Sequence, residues 1–465
     1  MQLSNEEEDY NLSLSKFESM LKTNKVLFFD SEEFEEIILH YLDMGKSALA
    51  KKALKLALDQ HPKSTGLKLV QVEMLVYDDK LELAEKMLNE LYAIEPTNEE
   101  IYIQKANIYS KRDQHEKAVE LLKIALKYTD DYADVYNLIG MEHLFMDNFE
   151  LAKQNFIKCL EEDLEDQSAL YNVVYCFEFL DQNQDAIVFL TQYIDKNPYS
   201  EIAWHQVGRL HYSEKEYESA IRAFDYATLI DDEFLGAFME KAKAFERLKK
   251  HKEAIESYER TIELDDATSY ALLRIGKCHE KLGNKVLALK YFNQTVHEDP
   301  LLDKGWIAIT DFYVRQKNYQ KALFYVNKAL AIDNQNKMYW KRYASINKHM
   351  NFFEEAEFGY RKAVEFGDHS LDTWLFWVDI LQYLGEFESA IQTLLQSSEF
   401  FPEENEIEYR LAGLYFMLTD GTKAKFHLSN AMRLNLANIT LLEELFPVVW
   451  AKKMVHNYIE KYKKL

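Results

Sequence analysis

The sequence predicts an all-α fold, a solenoid of antiparallel helix pairs, and three observations predict it. An alanine returns every 34 residues without insertion or deletion: Ala50, Ala84, Ala118, Ala152, Ala186, Ala220, Ala254, Ala288, Ala322, Ala356, Ala390 and Ala424. A fixed period of this length, held from about Ser31 to Asn438, marks one helical hairpin stacked many times. When each repeat is numbered from its own first residue, this alanine is position 20. Position 8 then holds only small or β-branched residues, such as Val72, Gly208 and Ala344, and position 24 only aliphatic or aromatic ones, such as Leu88, Phe156 and Tyr360. Small residues let two helix backbones approach, and a large residue one turn beyond the alanine fills the adjacent hole. Finally, the chain is 48% hydrophobic with only 13 glycines and 6 prolines in 465 residues, a balance that favours helix.

Residues 1–30 precede the register. A short helix is expected around Phe17, Met20 and Leu21, followed by the apolar run Val26-Leu27-Phe28-Phe29. Asp30-Ser31 then starts a helix with Glu32 and Glu33 in its first turn. Two readings of this segment stand: a cap over the exposed end of the first hairpin, or a docking arm for a partner. Twelve repeats fill 31–438, beginning at Ser31, Thr65, Glu99, Ala133, Gln167, Glu201, Leu235, Ser269, Asp303, Lys337, Leu371 and Asn405. Pro62, Pro96, Pro198, Pro300 and Pro402 all occupy position 32, where proline ends the second helix and turns the chain into the next repeat. Asp130, Asp232, Asp266, Asn334 and Asp368 stand there in other repeats and favour turns as well. Within repeats, polar pairs such as Gly283-Asn284 and Lys317-Asn318 mark the turn between helices. Lys68 and Glu408 take position 4, where every other repeat carries Phe, Tyr, Trp or Leu, so looser packing is expected in those two.

Residues 439–465 are expected to form a C-terminal capping helix. It begins with Leu441, Leu442 and Leu445, is interrupted at Pro447, and continues with Val448, Val455, Tyr458, Ile459 and Tyr462 at helical spacing. Lys452, Lys453, Lys461, Lys463 and Lys464 make this end basic. It is read either as a solvated tail or as one side of a head-to-tail contact with the acidic start.

The clearest repeat starts at Glu201. Its Trp204, Val207, Gly208, Ala220, Phe224 and Ala227 reproduce a W-x2-L-G…A-x3-F pattern and resemble the tetratricopeptide repeat, in twelve consecutive copies over nearly the whole chain. The resemblance implies a right-handed superhelical solenoid. It also implies that positions 2, 5, 9, 12 and 13 of each first helix line a concave groove where extended peptides or partner helices bind. On this chain position 9 gives Arg209, Lys243 and Lys277 in successive repeats, and position 13 gives Arg247, Lys281 and Arg315. Tyr171, Tyr175, Phe179 and Tyr212, with Phe145, precede this basic stripe on the same expected face. Exposed aromatics anchor partners at small entropic cost. The stripe is read as a site for an acidic partner segment or as inter-helix ion pairs, with Glu246 and Glu280 as neutralising neighbours. The aromatics are read as anchors or as inter-helix packing. The carboxylate clamp of some family members is absent: Lys341 is the only lysine at position 5, and Ser345 and Phe376 stand where asparagines should follow.

A formal net charge of −24 repels nucleic acid and anionic lipid surfaces, which excludes those partner classes. Three cysteines without a CxxC pair support neither a disulfide framework nor a zinc site, and Cys159 reads as a small core residue. A reducing, cytoplasmic setting follows. No signal-like start or membrane-spanning window stands out. Gly45-Lys46-Ser47 echoes the end of a phosphate loop, but His40 occupies the place of its first glycine. His143, His211 and His279 lie two repeats apart at position 11 and read as packing residues, with no metal site. No catalytic motif and no cofactor site stands out. The sequence therefore reads as a noncatalytic protein–protein interaction scaffold or adaptor that holds a partner segment in its groove. The alternative is a regulator that responds to a ligand or peptide.

Overall fold

The computed structural model describes residues 13–22, 27–264 and 268–463, in which helices pair into twelve antiparallel hairpins. The acidic first twelve residues, Val26, Asp266 and Lys464 lie outside the described residues. First helices run from Ser31–Asp43 to Asn405–Met417 and start where the register puts them, except that the fourth, Tyr132–Phe145, starts one residue early. No strand occurs among the described residues. The chain divides into two compact units, Met1–Ile230 and Asp231–Leu465, each carrying six hairpins.

Each hairpin closes on the same contact. All twelve position-20 alanines are fully buried. Positions 8 and 24 are matched in size: Gly140, Gly208 and Gly276 lie under the rings of Phe156, Phe224 and Phe292, and a methyl on Gly140 or Gly276 would come within 2.6 Å of its ring. Where position 8 is alanine, position 24 is leucine or tyrosine, as in Ala106/Leu122 and Ala344/Tyr360. Where it is valine or isoleucine, position 24 is leucine, and the polar, branched Thr310 faces Val326, the smallest of the set. Close-packed interiors require this trade, because two helices held at one separation leave one volume to fill.

The turn inside each hairpin is equally uniform. Position 15 is left-handed in all twelve, with φ between 55° at Asp113 and 80° at Gly283 and Gly385. The next N–H always bonds the position-11 carbonyl, from Lys46 to Tyr41 at 2.7 Å through Asp420 to Tyr415 at 2.9 Å. This six-to-one bond satisfies a carbonyl that the ending helix would orphan. Gly45-Lys46-Ser47 is one such turn, with Gly45 at φ 66° and the second helix starting at Ser47. Lys215, Lys249, Lys317 and Thr419 adopt the same conformation without being glycine, asparagine or aspartate, at a cost of about 1 kcal/mol each.

Between hairpins, each position-32 proline sits in a two-residue turn. The carbonyl at this position accepts a hydrogen bond from the aromatic at position 4 of the next repeat: Trp204 Nε1 to Pro198 at 3.1 Å, Trp306 Nε1 to Pro300 at 2.9 Å, Trp340 Nε1 to Asn334 at 2.8 Å and Tyr102 Oη to Pro96 at 2.8 Å. Ser64, Asn98, Asp166, Ser200, Thr268 and Asn336 then cap the next helix with their side-chain oxygens.

At the start, helix 13–22 lays Phe17 edge-on against Phe29 and Phe34, at 5.9 and 6.2 Å. At the other end the interruption expected at Pro447 is present, and the segment has further breaks. It is broken into Leu436–Ile439, Thr440–Leu445, Pro447–Trp450 and Lys453–Lys463. The break at Pro447 leaves Val448 exposed and buries Val449 instead, while Phe446 fills the space above Gly413. Nor is the twelfth hairpin loosened by Glu408: its carboxylate meets His427 Nδ1 at 2.8 Å, and that imidazole stacks on Tyr415 at 5.3 Å. His143 and His279 are buried, and burial depresses the basicity of both. All three cysteines are buried and unpaired.

Gly140→Ala is expected to cost about 1–3 kcal/mol through overpacking, despite the better helix propensity of alanine. Adding Phe156→Leu, which recreates the Ala106/Leu122 pairing, should make the double variant more stable than the two single losses predict, as read from urea unfolding. Thr419→Gly should raise the melting temperature, by the equivalent of about 1 kcal/mol, and Gly283→Thr should lower it.

Candidate protein-binding surface

Within each unit, carboxylate–arginine pairs tie neighbouring first helices together. In the first unit Glu178 meets Arg209 at 3.2 Å. In the second, Glu246 pairs with Arg274, Glu280 with Arg315, Asp311 with Arg342 at 2.8 Å and Asp379 with Arg410 at 2.6 Å. Every pair joins position 9 or 12 of one repeat to position 6, 9 or 13 of the next. Two of the expected site residues, Arg209 and Arg315, are therefore engaged by the scaffold, and Arg209 also bonds Gln206 at 2.6 Å.

In the first unit, Tyr171, Tyr175 and Phe179 recur at successive turns of the helix Gln167–Phe179 and are 42%, 50% and 60% exposed. Phe145, on the preceding first helix, is 57% exposed. Phe179 stacks on buried Phe149 at 3.7 Å and Tyr175 lies 6.2 Å from the same ring, so the platform has a packed base and an open top. Tyr212 is different: it is half-buried and meets Tyr217 edge-on at 5.4 Å.

In the second unit, Lys243 sits over the Tyr270 ring at 5.7 Å, and Arg247 and Lys281 are exposed. Lys277, Lys281 and Arg315 converge on a hollow of about 440 Å³ that Lys249 and His251 also line, with Cys278, Phe292 and Ala308 among its walls. Its three carboxylates are already engaged. Glu246 accepts from Arg274 and from the Tyr258 hydroxyl at 2.8 Å, Glu280 from Arg315, and Asp311 from two Arg342 nitrogens at 2.8 and 3.1 Å. Glu246 and Glu280, the neutralising neighbours named for the stripe, reach across to arginines of the next repeat, which is the inter-helix pairing of the stripe's second reading. Neither Lys277 nor Lys281 forms an ion pair among the described residues. Burial, reinforced by the Arg274 guanidinium, holds the Lys277 amine below the usual lysine value.

Sequence reasoning missed Arg274, Lys249 and His251. Arg274 was legible in principle, because glutamates recur at position 12 in Glu178, Glu246 and Glu280, each one repeat before an arginine. Burial pushes the Cys278 thiol up to about 12, so it stays protonated and inert as a nucleophile. Among the described residues no group of three His, Cys, Asp or Glu side chains could hold a metal ion. No described helix is long and apolar enough to cross a membrane.

Family models described as tetratricopeptide repeat match residues 75–141, 133–166, 206–268, 239–302 and 304–336. Anaphase-promoting complex subunit 3 of Schizosaccharomyces pombe is 25% identical over 157 residues, which are 34% of this chain and 24% of that protein. The chain thus spans about a quarter of the length of this curated relative. Among solved structures, the APC/C hetero-tetramer Cut9-Hcn1 is similar with 14% identity, 87% and 93% of the two chains covered and a TM-score of 0.37. The C-terminal part of a TPR repeat-containing protein from Cytophaga hutchinsonii is similar with 16% identity, 59% and 98% covered and a TM-score of 0.39.

An ammonium half-buried without an ion pair costs stability while it stays charged. Because its folded pKa is lowered, the unfolded chain holds that proton more tightly, so stability rises as the pH climbs through the folded pKa. Lys277→Met is expected to raise the melting temperature at pH 7 and to narrow the difference between pH 7 and pH 9.5 seen for the unsubstituted chain.

Proposed function

We propose that this chain, which belongs to the tetratricopeptide repeat family, is a noncatalytic scaffold that holds segments of other proteins against its first-helix faces. One observation carries the reading: Lys277 and Lys281 line a hollow whose three carboxylates are already paired with arginines. Lys249, Lys277 and Lys281 remain for an incoming carboxylate, so the occupant is an acidic segment of a partner protein. The open tops of Tyr171, Tyr175, Phe179 and Phe145 support the same role, since large rigid rings gain contact area on binding with few rotamers to freeze. The relative named as a subunit of the anaphase-promoting complex is by its name part of a multiprotein assembly, which agrees with a scaffold. Three buried thiols outside any disulfide suit a cytoplasmic setting.

The hollow's volume of about 440 Å³ favours one further reading, a regulator that responds to a small anionic ligand, because it lies in the usual size range of ligand pockets. A fluorescently labelled acidic 15-residue peptide and free citrate, titrated against the purified chain, separate the two. Peptide affinity is expected to fall at least tenfold in Lys277→Glu with Lys281→Glu and to change little in Arg209→Gln, whose guanidinium already faces Glu178. Peptide binding that survives the double charge reversal would contradict the scaffold site, and tight citrate binding without peptide binding would favour the regulator.

A further inference from the structure

Among the described residues the carboxylate–arginine ties between first helices begin with Glu178 and Arg209. Across the first four hairpins, positions 2, 5, 9, 12 and 13 supply six carboxylates, Glu32, Glu35, Asp43, Glu73, Glu100 and Asp134, against one cation, Lys111. Where later repeats place arginine at position 6, these four carry Glu36, Val70, Gln104 and Leu138. Glu35, Glu73, Glu100 and Asp134 form no ion pair among the described residues. Glu35 reaches across to the next first helix, where a methyl on Gly66 would lie 2.9 Å from its Oε2. The acids also feel one another: burial raises the pKa of Glu73, Glu100 and Asp134, and repulsion along the series Asp43, Glu73, Glu100, Asp134 and Asp166 adds to it.

A second observation indicates what is missing. Gln104 is 95% buried, and its Nε2 donates to Glu100 Oε1 at 2.8 Å, which fixes the amide orientation and leaves its Oε1 buried without a partner. Asn137, one turn after Asp134, likewise leaves its Oδ1 buried and unbonded. Both orphans are acceptors beside carboxylates that are acceptors too. Such a face matches a ligand made of N–H donors bearing positive charge.

We infer that the first-helix face of hairpins one to four receives an extended lysine- or arginine-rich segment of a partner protein. This goes beyond the acidic segment proposed for the second unit and uses different residues. A single metal ion does not meet the need, because no three of these side chains converge. Packed helices stand about 8–10 Å apart. An extended chain advances about 3.3 Å per residue. One cation at about every third residue would therefore meet one acidic helix after another, supplying from outside the arginines that later repeats carry themselves. Exposed Leu39 and Tyr77 on the same helices offer apolar surface to the aliphatic stems of those cations.

The probe is a fluorescein-labelled 15-residue peptide with arginine at every third position and glycine and serine between, titrated by anisotropy against the full chain at low salt. Glu73→Gln with Glu100→Gln should weaken binding at least tenfold and should raise the melting temperature of the free chain, since it removes repulsion. Neutralising two exposed second-helix carboxylates, Glu82→Gln with Glu116→Gln, and the reversal Lys277→Glu with Lys281→Glu should both leave the affinity within about twofold. Failure of the acidic-peptide experiment on Lys277 and Lys281 would thus leave this one standing, and the converse. Absence of binding, or equal weakening by the face and second-helix pairs, would overturn the inference. Concentration-dependent dimers dissolved by Glu73→Gln with Glu100→Gln would overturn it as well, by assigning the face to a second copy.

Discussion

The structure depends on one repeated contact, the approach of position 8 to position 24 over a buried alanine. It fixes the separation of two helices, and with the left-handed turn at position 15 it fixes their antiparallel course. A hairpin so constrained buries one set of faces and must stack on its neighbours to bury another, which is why no single repeat is a stable unit. What remains is the first-helix face, where positions 2, 5, 9, 12 and 13 divide between side chains spent on the core, such as Leu69, Val76, Ile103, Leu273 and Tyr409, and exposed ones that are free to vary. Here they carry acids in the first four hairpins, rings in the fourth and fifth, and lysines with arginine ties in the second unit.

Much of the fold was legible because packing writes itself as a period. The alanine ladder and the prolines at position 32 placed the first-helix starts to the residue, with one exception at Tyr132. The position-15 conformation was not legible, since aspartate, lysine and threonine stand there beside glycine, and the six-to-one bond that holds them is a backbone event. At the C-terminal end the interruption at Pro447 was legible, but Val448 was grouped with Val455 and Ile459 because the three keep helical spacing. The break at Pro447 shifts the register by a residue and buries Val449 instead.

The site was less legible, for a reason rooted in electrostatics. A sequence gives the sign of a charge and its helix position but not its partner across the next repeat. Arg209 and Arg315 fall on the expected face yet are tied to Glu178 and Glu280, whereas Lys277 and Lys281 keep their charge unpaired. The same blindness hid the opposite end. Six carboxylates among the first four hairpins look like ordinary solubilising charge in a chain of net charge −24 until their lack of arginine partners, and two orphaned amide oxygens, are visible.

Amine-reactive labelling of the full chain, read residue by residue by mass spectrometry with and without an acidic peptide, tests most directly whether the first-helix face is the binding surface. Lys277 and Lys281 are expected to lose reactivity while exposed lysines of second helices, Lys252, Lys290 and Lys328, keep theirs. Protection confined to Lys252, Lys290 and Lys328 would place the partner on the opposite side of the hairpins and contradict that expectation.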